Sequence, residues 1–561
     1  MKRREFLQSA AAAAGMLVCK SARGFAQTSS PTSAQASGPT SAPQIDVLLE
    51  EPLGTISPAI YSHFAENLSG VIYDGVWVGE KSKIPNIGGI RKELVEEMRK
   101  IRPALVRFPG GCFADSYDWR DGIGPADKRP RRTNFWSSSE PAAAPETHHY
   151  DPNQFGTNEF MQFCRLIGAQ PYLAANLRSL PAEEFSRWVE YCNSPAGSTT
   201  LADTRAAAGF REPFNVRYWG VGNESWGCGG NFTPQEYAEE YRRYTAWVPS
   251  YGGARLSFVA SGPTDDEYEW TRGFLEAIAR KDKDLIEEIY GFALHHYTWN
   301  LSRGKSTDWD KAKGDAVKFE VVDWYELLRL SDAMDTLIDG HWKAMAEFDP
   351  AHHIKLVVDE WGPWYRPGSE LTAGDQIEQL PTLRDALFSG ATLDIFNRHP
   401  EKVDISCTAQ LINCLNSLYL AHEDRFCVTP VGHVFAMYAD HQGGTSLRTH
   451  FSVPEIGYDR DGQSANIWGL EGSASLHGKE LVLTAVNPNV REAVEAQISV
   501  RGARVKSGAA TVLSAADIHA RNTFQERQAV VPVTMAMEIK GDAPVFRFPA
   551  RSVVRMKMQL G

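Results

Sequence analysis

Between residues 59 and 440, short apolar runs alternate with longer amphipathic segments. Each apolar run predicts a strand that ends in polar or aromatic residues. The runs are 61–65, 105–108, 172–176, 217–223, 256–261, 292–297, 354–359 and 405–411. The segments between them have helical periodicity, at residues 91–100, 159–167, 182–192, 234–248, 271–281 and 321–347. Eight strand–helix units predict an α/β fold, a (β/α)8 TIM barrel, with functional side chains at the C-terminal ends of its parallel strands.

The pattern changes at about residue 441, where alternating or β-rich runs bounded by Gly, Pro and Asn begin. These runs predict a C-terminal antiparallel β-sandwich domain over residues 441–561. They lie at residues 465–470, 480–486, 494–500, 510–514, 535–539 and 545–548. Residues 44–58 are also extended in pattern and precede the barrel, so we expect them to form an N-terminal strand segment that joins the sandwich.

The N-terminus carries paired arginines in Arg3-Arg4-Glu5-Phe6-Leu7, followed by a weakly apolar, Ala-rich stretch. This pattern predicts a twin-arginine-type export signal over residues 1–26, ending in a small-x-small cleavage pattern at residues 24–26. We therefore expect a periplasmic or secreted protein with no membrane association after cleavage; a disordered basic tail is the alternative. Residues 27–43 lack periodicity and are rich in Ser, Thr, Pro and Ala, which predicts a disordered linker.

Composition narrows the function classes. The 561 residues are 43% hydrophobic, enough for a large core and more than one domain. The formal net charge of -12, with no Lys/Arg run, argues against nucleic acid as a partner. Signal cleavage would remove Cys19 from the eight cysteines and leave an odd number, which excludes a fully paired disulfide framework, although export permits one or two bridges.

Two glutamates stand where predicted strands meet Gly- and Trp-containing loops: Glu224 after strand four and Glu360 after strand seven. Such a pair is suited to cleaving a glycosidic bond. One carboxyl group protonates the leaving oxygen, and the other attacks the sugar or stabilises its oxocarbenium-like centre. Taken alone, a glutamate after a strand is more often an ordinary loop acid than a catalytic residue.

Several further motifs accompany this pair in a fixed order along the chain. They are Ile60-Tyr61-Ser62-His63-Phe64-Ala65-Glu66-Asn67, Arg107-Phe108-Pro109-Gly110-Gly111-Cys112-Phe113, Trp119-Arg120-Asp121-Gly122-Ile123-Gly124-Pro125, Phe155-Gly156-Thr157-Asn158-Glu159-Phe160, Gly222-Asn223-Glu224, Asp359-Glu360-Trp361 and Asn522-Thr523-Phe524. In these motifs the chain resembles the family 51 glycoside hydrolases, mainly α-L-arabinofuranosidases, over nearly all of its mature length.

The resemblance implies a role for each catalytic residue. Glu224 would be the general acid/base and Glu360 the nucleophile, giving a covalent glycosyl-enzyme and retention of configuration. Retention requires carboxyl groups about 5–5.5 Å apart, whereas inversion leaves room for a water between them. The two roles also require different pKa values. No cofactor is implied.

The resemblance also implies substrate contacts. Asn223, Glu66 and Gln410 would bind sugar hydroxyls. Cys112 lies at a position of substrate contact where many relatives carry Asn, and this departure calls into question the hydrogen bond that the Asn would make to the substrate. Tyr297 would hydrogen-bond the nucleophile, with His295 behind it.

Position and chemistry suggest roles for two further residues, Arg107 and Trp364. Arg107 would place positive charge beside the nucleophile or serve as a structural ion-pair partner. Trp364 would form a pocket wall or pack in the core. Although His295 and His296 are adjacent, neighbouring strand residues point to opposite faces, so we expect no metal site.

Cys112 and Cys228 follow the predicted second and fourth strands, whose loops rim the same barrel mouth. A disulfide between them is geometrically feasible, and two free thiols are the alternative.

The leading hypothesis is an exo-acting, retaining α-L-arabinofuranosidase that releases terminal arabinofuranose from arabinan- or arabinoxylan-type polysaccharides or oligosaccharides. An endo-glucanase or β-xylosidase with the same fold and mechanism is the closest alternative. A non-catalytic carbohydrate-binding protein is a remote one. A homo-oligomer is compatible with each of these hypotheses.

Overall fold

The computed structural model describes residues 42–561, apart from 140–141, 254, 307, 373–374, 376 and 541–542. The predicted export signal, and all but the last two residues of the predicted linker, lie outside the described residues. Within the part that is described, every helix is too short or too polar to cross a bilayer.

Eight parallel strands close into a barrel in which neighbours follow one another along the chain. In order, barrel strands one to eight are Ser62–Phe64, Leu105–Phe108, Gln170–Ala174, Tyr218–Val221, Ser257–Ala260, Ile289–Thr298, Lys355–Pro363 and Val403–Thr408. Helices cover the outside and side chains fill the inside, so the strands are buried on both faces and read as continuous apolar runs. The predicted (β/α)8 barrel is confirmed.

Helices alternate with the barrel strands. They are Lys92–Ile101, Glu146–His149, Thr157–Ile167, Ala182–Asn193, Thr200–Ala207, Pro234–Thr245, Tyr268–Lys281, Leu285–Glu288, Trp309–Ala312, Val321–Leu330, Ala333–Met345, Leu383–Arg398 and Pro430–Tyr438. The predicted single helix 321–347 is two helices, which separate at Ser331 and Asp332. Local chemistry sets some starts: Thr233 and Glu236 form a reciprocal capping box at the first turn of Pro234–Thr245.

The loops contain short two-stranded ladders and single turns of 3-10 helix. The ladders pair Asn86–Ile87 with Ile90–Arg91, Arg132–Thr133 with Tyr150–Asp151, Tyr419–His422 with Arg425–Val428, and Ile456–Arg460 with Gln463–Ile467. The 3-10 turns are Pro58–Tyr61, Ala114–Ser116, Trp119–Gly122, Ala126–Lys128, Phe135–Ser138 and Ala439–His441.

The C-terminal domain is built from ten strands that hydrogen-bond in one continuous order around a second apolar core. The first of these strands precedes the barrel along the chain. The strands are Gln44–Thr55, Thr445–Ser452, Glu471–His477, Glu480–Asn487, Val494–Arg501, Val505–Ser514, Val533–Ala536, Glu538–Lys540, Ala543–Phe548 and Ser552–Leu560.

One pair in this sheet is parallel rather than antiparallel. Residues 44–48 pair parallel with residues 497–501 on one side and antiparallel with Thr445–Ser452 on the other. A strand that enters the sheet from the far end of the chain is not joined to its neighbours by a hairpin, so its direction is not fixed by a turn.

Candidate active site

Glu224 and Glu360 face each other at the C-terminal end of the barrel. Glu224 lies in the turn after barrel strand four, with a backbone φ of 41°, a region that non-glycine residues seldom occupy. Its carbonyl accepts hydrogen bonds from the amides of Gly227 at 2.7 Å and Gly229 at 3.1 Å, which hold the turn. Glu360 is on barrel strand seven. One oxygen of each carboxylate and one ring nitrogen of His295 lie within 4.8 Å of one another. This separation suits retention, not inversion.

A β-bulge in barrel strand seven brings a second acid to the centre of the barrel. Ala293 on strand six pairs with Val357, but His295 pairs with Glu360, so strand seven has one extra residue between the two pairs. In a regular strand, Asp359 and Glu360 would point to opposite faces. Here the Asp359 carboxylate contacts Arg107, His295 and Tyr172, all of which line the same centre.

Arg107, from barrel strand two, is buried among the acids. Its Nη1 donates to Glu360 Oε1 at 2.8 Å and its Nη2 to Asn223 Oδ1 at 2.5 Å, while Nε forms an ion pair with Asp359 Oδ2 at 3.2 Å. Burial lowers the pKa of Arg107, but the charges of Asp359 and Glu360 outweigh burial and raise it above its ordinary value. The guanidinium therefore supplies a permanent positive charge beside Glu360 and orients Asn223.

His295 and Tyr297 project from barrel strand six onto the two glutamates. His295 Nδ1 lies 3.1 Å from Glu224 Oε1, and its Nε2 lies 3.1 Å from Asp359 Oδ1. Burial alone would lower the pKa of His295, but the charge of Glu360 and the bonds to Asp359 and Glu224 raise it to about 10. The Tyr297 hydroxyl donates to Glu360 Oε2 at 2.8 Å. His296 faces away and contacts Asp265 at 2.6 Å, as strand alternation predicts.

A disulfide joins Cys112 and Cys228, with Cα atoms 5.6 Å apart, and links the loops after barrel strands two and four. Glu224 Oε2 lies 3.4 Å from the sulfur of Cys228 and 3.7 Å from that of Cys112. Disulfide sulfurs carry no proton, so these are packing contacts and give the carboxylate no hydrogen bond. Burial raises the pKa of Glu224 above its ordinary value, and the charge of Glu360 adds to the shift.

Glu66, after barrel strand one, is held by three donors. Its Oε1 accepts from the amide of Phe113 and the indole of Trp136, each at 2.9 Å, and its Oε2 accepts from Gln410 Nε2 at 3.1 Å. Gln410 also accepts from the Glu66 amide at 3.1 Å, so both ends of its side-chain amide orient Glu66. Burial, followed by the charge of Glu360, raises the pKa of Glu66 to about 7.

Trp364, the predicted pocket wall, is half-buried beside the nucleophile's partner. Its ring centroid lies 5.2 Å from that of Tyr297, edge to face, and the ammonium of buried Lys313 lies 4.3 Å from the centroid of the indole. One face of the indole is therefore already occupied by a cation.

The ten predicted site residues thus lie around one centre, and the structure adds Asp359, Tyr172 and Trp136. In a regularly alternating strand, Asp359 would point away from Glu360, so the sequence pattern does not predict that both lie in the site. Tyr172 lies within the predicted third strand, and the alternation of that strand could have shown which of its side chains face the barrel interior. Trp136 lies in a long loop after strand two, where no periodicity marks it.

In the described part of the chain, two groups of three side chains bring possible metal ligands within 4.8 Å of one another. In Cys112, Glu224 and Cys228, the sulfurs are bonded to each other and are not thiolates. In Glu224, His295 and Glu360, the imidazole has a raised pKa and faces carboxylates at both nitrogens, so ligation would require it to lose a proton.

A parallel barrel with an acid of raised pKa in the turn after strand four, and a second carboxylate on strand seven held by Arg107 and Tyr297, defines a retaining glycoside hydrolase. Two family models match: the α-L-arabinofuranosidase 1 domain over residues 97–314 and the α-L-arabinofuranosidase C-terminal domain over residues 359–552.

Individual relatives agree with the family models. The intracellular exo-α-L-arabinofuranosidase of Bacteroides ovatus is 33% identical over 90% of this chain and 93% of its own length. The crystal structure of the GH51 arabinofuranosidase from Xanthomonas axonopodis pv. citri is 34% identical, with a TM-score of 0.84 over 92% of this chain and all of that one. The arabinose complex of the Thermotoga maritima α-L-arabinofuranosidase is 27% identical, with a TM-score of 0.76 over the same shares. The chain belongs to glycoside hydrolase family 51.

Proposed function

We propose that this protein is an exo-acting, retaining α-L-arabinofuranosidase that releases terminal arabinofuranose from arabinose-containing polysaccharides or oligosaccharides. The observation that carries the proposal is the close approach of Glu224 and Glu360, with their oxygens within 4.8 Å, at the C-terminal end of the barrel. The names of the relatives, which include exo-α-L-arabinofuranosidase and arabinofuranosidase, support the choice of sugar.

In the first step, Glu360 attacks the anomeric carbon, the bond to the leaving oxygen breaks, and Glu224 gives that oxygen its proton. Arg107 and Tyr297 hold Glu360 by one oxygen each, which fixes the direction of attack. In the second step, a water molecule attacks the same carbon, Glu224 removes its proton, and Glu360 leaves as a carboxylate. Two inversions give overall retention.

The environment of Glu224 changes between the two steps. In the free enzyme, burial and the charge of Glu360 raise its pKa against the opposing effect of the bond with His295, which favours the protonated form that the first step needs. Esterification of Glu360 removes that charge, which lowers the pKa of Glu224 and makes it a base when water must be activated.

The test is a substrate panel with wild-type protein, Glu360→Ala and, as control, Glu347→Ala, a change at an exposed glutamate on the barrel surface. We expect 4-nitrophenyl α-L-arabinofuranoside to be cleaved with a retained product, and Glu360→Ala to lose about three or more orders of magnitude in kcat. Near-normal hydrolysis by Glu360→Ala would contradict the nucleophile assignment.

The same panel separates the alternative functions. A β-xylosidase would prefer 4-nitrophenyl β-D-xyloside, and an endo-glucanase would shorten a soluble glucan while leaving aryl arabinofuranosides intact. Preference for linear arabinan or for arabinoxylan is measured directly as arabinose release, and loops around the cleft determine it.

We also propose that the protein is exported by the twin-arginine route. The support is the sequence pattern of the first 26 residues, with Arg3 and Arg4 followed by an apolar stretch. Replacement of both arginines by lysine should leave the protein in the cytoplasm, as measured by fractionation. Unchanged export of that variant would contradict the proposal.

A further inference from the structure

We infer that Asp359 is a positioning residue for the acid/base. It holds His295 with a proton on both ring nitrogens, and this places the acid proton of Glu224 on Oε2. The inference rests on the proposed function, since it concerns how Glu224 acts as a general acid.

His295 lies between two carboxylates. Its two ring nitrogens each lie 3.1 Å from a carboxylate oxygen, Glu224 Oε1 on one side and Asp359 Oδ1 on the other. A neutral imidazole has only one N–H, so it can donate to one of them; an imidazolium donates to both. Asp359 is itself fixed by Arg107 and by the Tyr172 hydroxyl, which donates to Oδ2 at 2.8 Å. Its Oδ1 is therefore left for His295.

Three acids surround His295 and set the charge around it. The groups that face it are Glu224 from the turn after strand four and Asp359 and Glu360 from strand seven. Behind these acids lie Arg107 from strand two, Tyr172 from strand three and Tyr297 from the same strand as His295. With Glu224 protonated, two carboxylates are balanced by the guanidinium and the imidazolium. Burial raises the pKa of Asp359, but Arg107 and His295 outweigh burial and bring the pKa below its ordinary value.

The bond with His295 decides which oxygen of Glu224 carries the acid proton. When His295 donates to Oε1, that oxygen is an acceptor, and the acid proton must be on Oε2. Within the described residues, Oε2 packs against the disulfide sulfurs, so a proton on Oε2 is available to a leaving oxygen. If His295 were neutral with its proton toward Asp359, Nδ1 would instead accept the proton of Glu224 through Oε1 and draw it away from the substrate.

The experiment compares wild type, Asp359→Asn and Asp404→Asn. Asp404 is a matched control because it is also a barrel-strand aspartate that accepts from a tyrosine hydroxyl, that of Tyr290, but at the other end of the barrel. Each protein is assayed on a dinitrophenyl arabinofuranoside, which needs no proton to depart, and on an alkyl arabinofuranoside, which does. The ring nitrogens of His295 are followed by NMR of 15N-histidine-labelled protein, with the signal assigned by its loss in His295→Gln.

We expect Asp359→Asn to lose at least about tenfold more kcat/KM on the alkyl than on the activated substrate. Its His295 should titrate between about pH 5 and 8, whereas the wild-type ring stays doubly protonated throughout that range. Asp404→Asn should match wild type in both readouts. Equal loss on both substrates, or an unchanged imidazolium in Asp359→Asn, would overturn the inference.

A folding defect in Asp359→Asn does not remove the test, because a neutral His295 in the wild-type spectrum would overturn the inference by itself. Failure of the proposed function has a different signature. In that case wild type would cleave neither arabinofuranoside, while the NMR measurement would still report the state of His295.

Discussion

The disulfide between Cys112 and Cys228 gives a prediction in which stability and catalysis are measured separately. The bond closes a loop with a sequence separation of 116 and packs against Glu224 Oε2. The perturbation is the double variant Cys112→Ala/Cys228→Ala. The matched control is Cys164→Ala/Cys192→Ala, which also removes two buried sulfurs but breaks no cross-link.

The expected loss of unfolding free energy follows from the length of the loop that the disulfide closes. For a loop of this length, the chain-entropy model gives a loss of about 5 kcal/mol in unfolding free energy, and measured values usually fall nearer about 2–4 kcal/mol. The control should lose only the packing of two small side chains, about 1 kcal/mol or less each. The difference between the two double variants is thus the contribution of the cross-link.

The catalytic effect comes from the turn that carries Glu224. Without the bond, the loops after strands two and four are free to separate, and a small displacement of the acid matters most when the leaving group needs a proton. We expect kcat/KM to fall more on an alkyl arabinofuranoside than on a dinitrophenyl one.

The assays are guanidinium unfolding followed by near-UV circular dichroism, kinetics on both substrates, and peptide mapping of unreduced wild type. Mapping should recover Cys112 and Cys228 in one cross-linked fragment. Recovery of both as alkylated thiols, or equal unfolding midpoints for the two double variants, would refute the reasoning.

Three further predictions concern single residues. Glu224→Ala should form the glycosyl-enzyme almost normally from activated aryl substrates but break it down slowly, and azide should restore turnover. In the wild-type enzyme, kcat/KM should fall as pH rises through the raised pKa of Glu224. Gly111→Ala places a methyl group 2.5 Å from Glu66 Oε2 and should lower kcat/KM about tenfold to a hundredfold, whereas Gly457→Ala, which meets nothing closer than 3.5 Å, should not. Burial raises the pKa of Asp394 to about 7, so its contribution to unfolding free energy should be complete below about pH 4 and be lost as pH rises toward 7. Denaturant titrations of Asp394→Asn should lack this slope, and an unchanged slope would contradict the assignment.

The barrel and its two glutamates could be predicted because the strands are buried on both faces and end in motifs with clear chemistry. Helix Leu383–Arg398 could not, because it is buried on every side through Asn397, so no polar stripe marks its period. Its core-facing polar residues instead bond across to the C-terminal sheet, as Asp394 does with Ser473 and Thr484.

Asp359 shows a different limit. Its contacts depend on one extra residue in strand seven, and a bulge leaves the hydrophobic pattern unchanged while reversing the direction of a side chain. Trp136 reaches Glu66 from a loop whose path is set by tertiary contacts, which a local pattern does not contain.

The parallel pairing of Gln44 with Gln497 has a consequence for the order of folding. The strand that precedes the barrel on the chain pairs with a strand that is synthesised only after the whole barrel. A contact of such large sequence separation closes slowly. Until it closes, the apolar side chains of Ile45 and Val47 have no core to enter. This sheet therefore cannot be completed until the whole barrel has been synthesised, and the unpaired strand in that interval is where a nascent-chain chaperone would have most to protect.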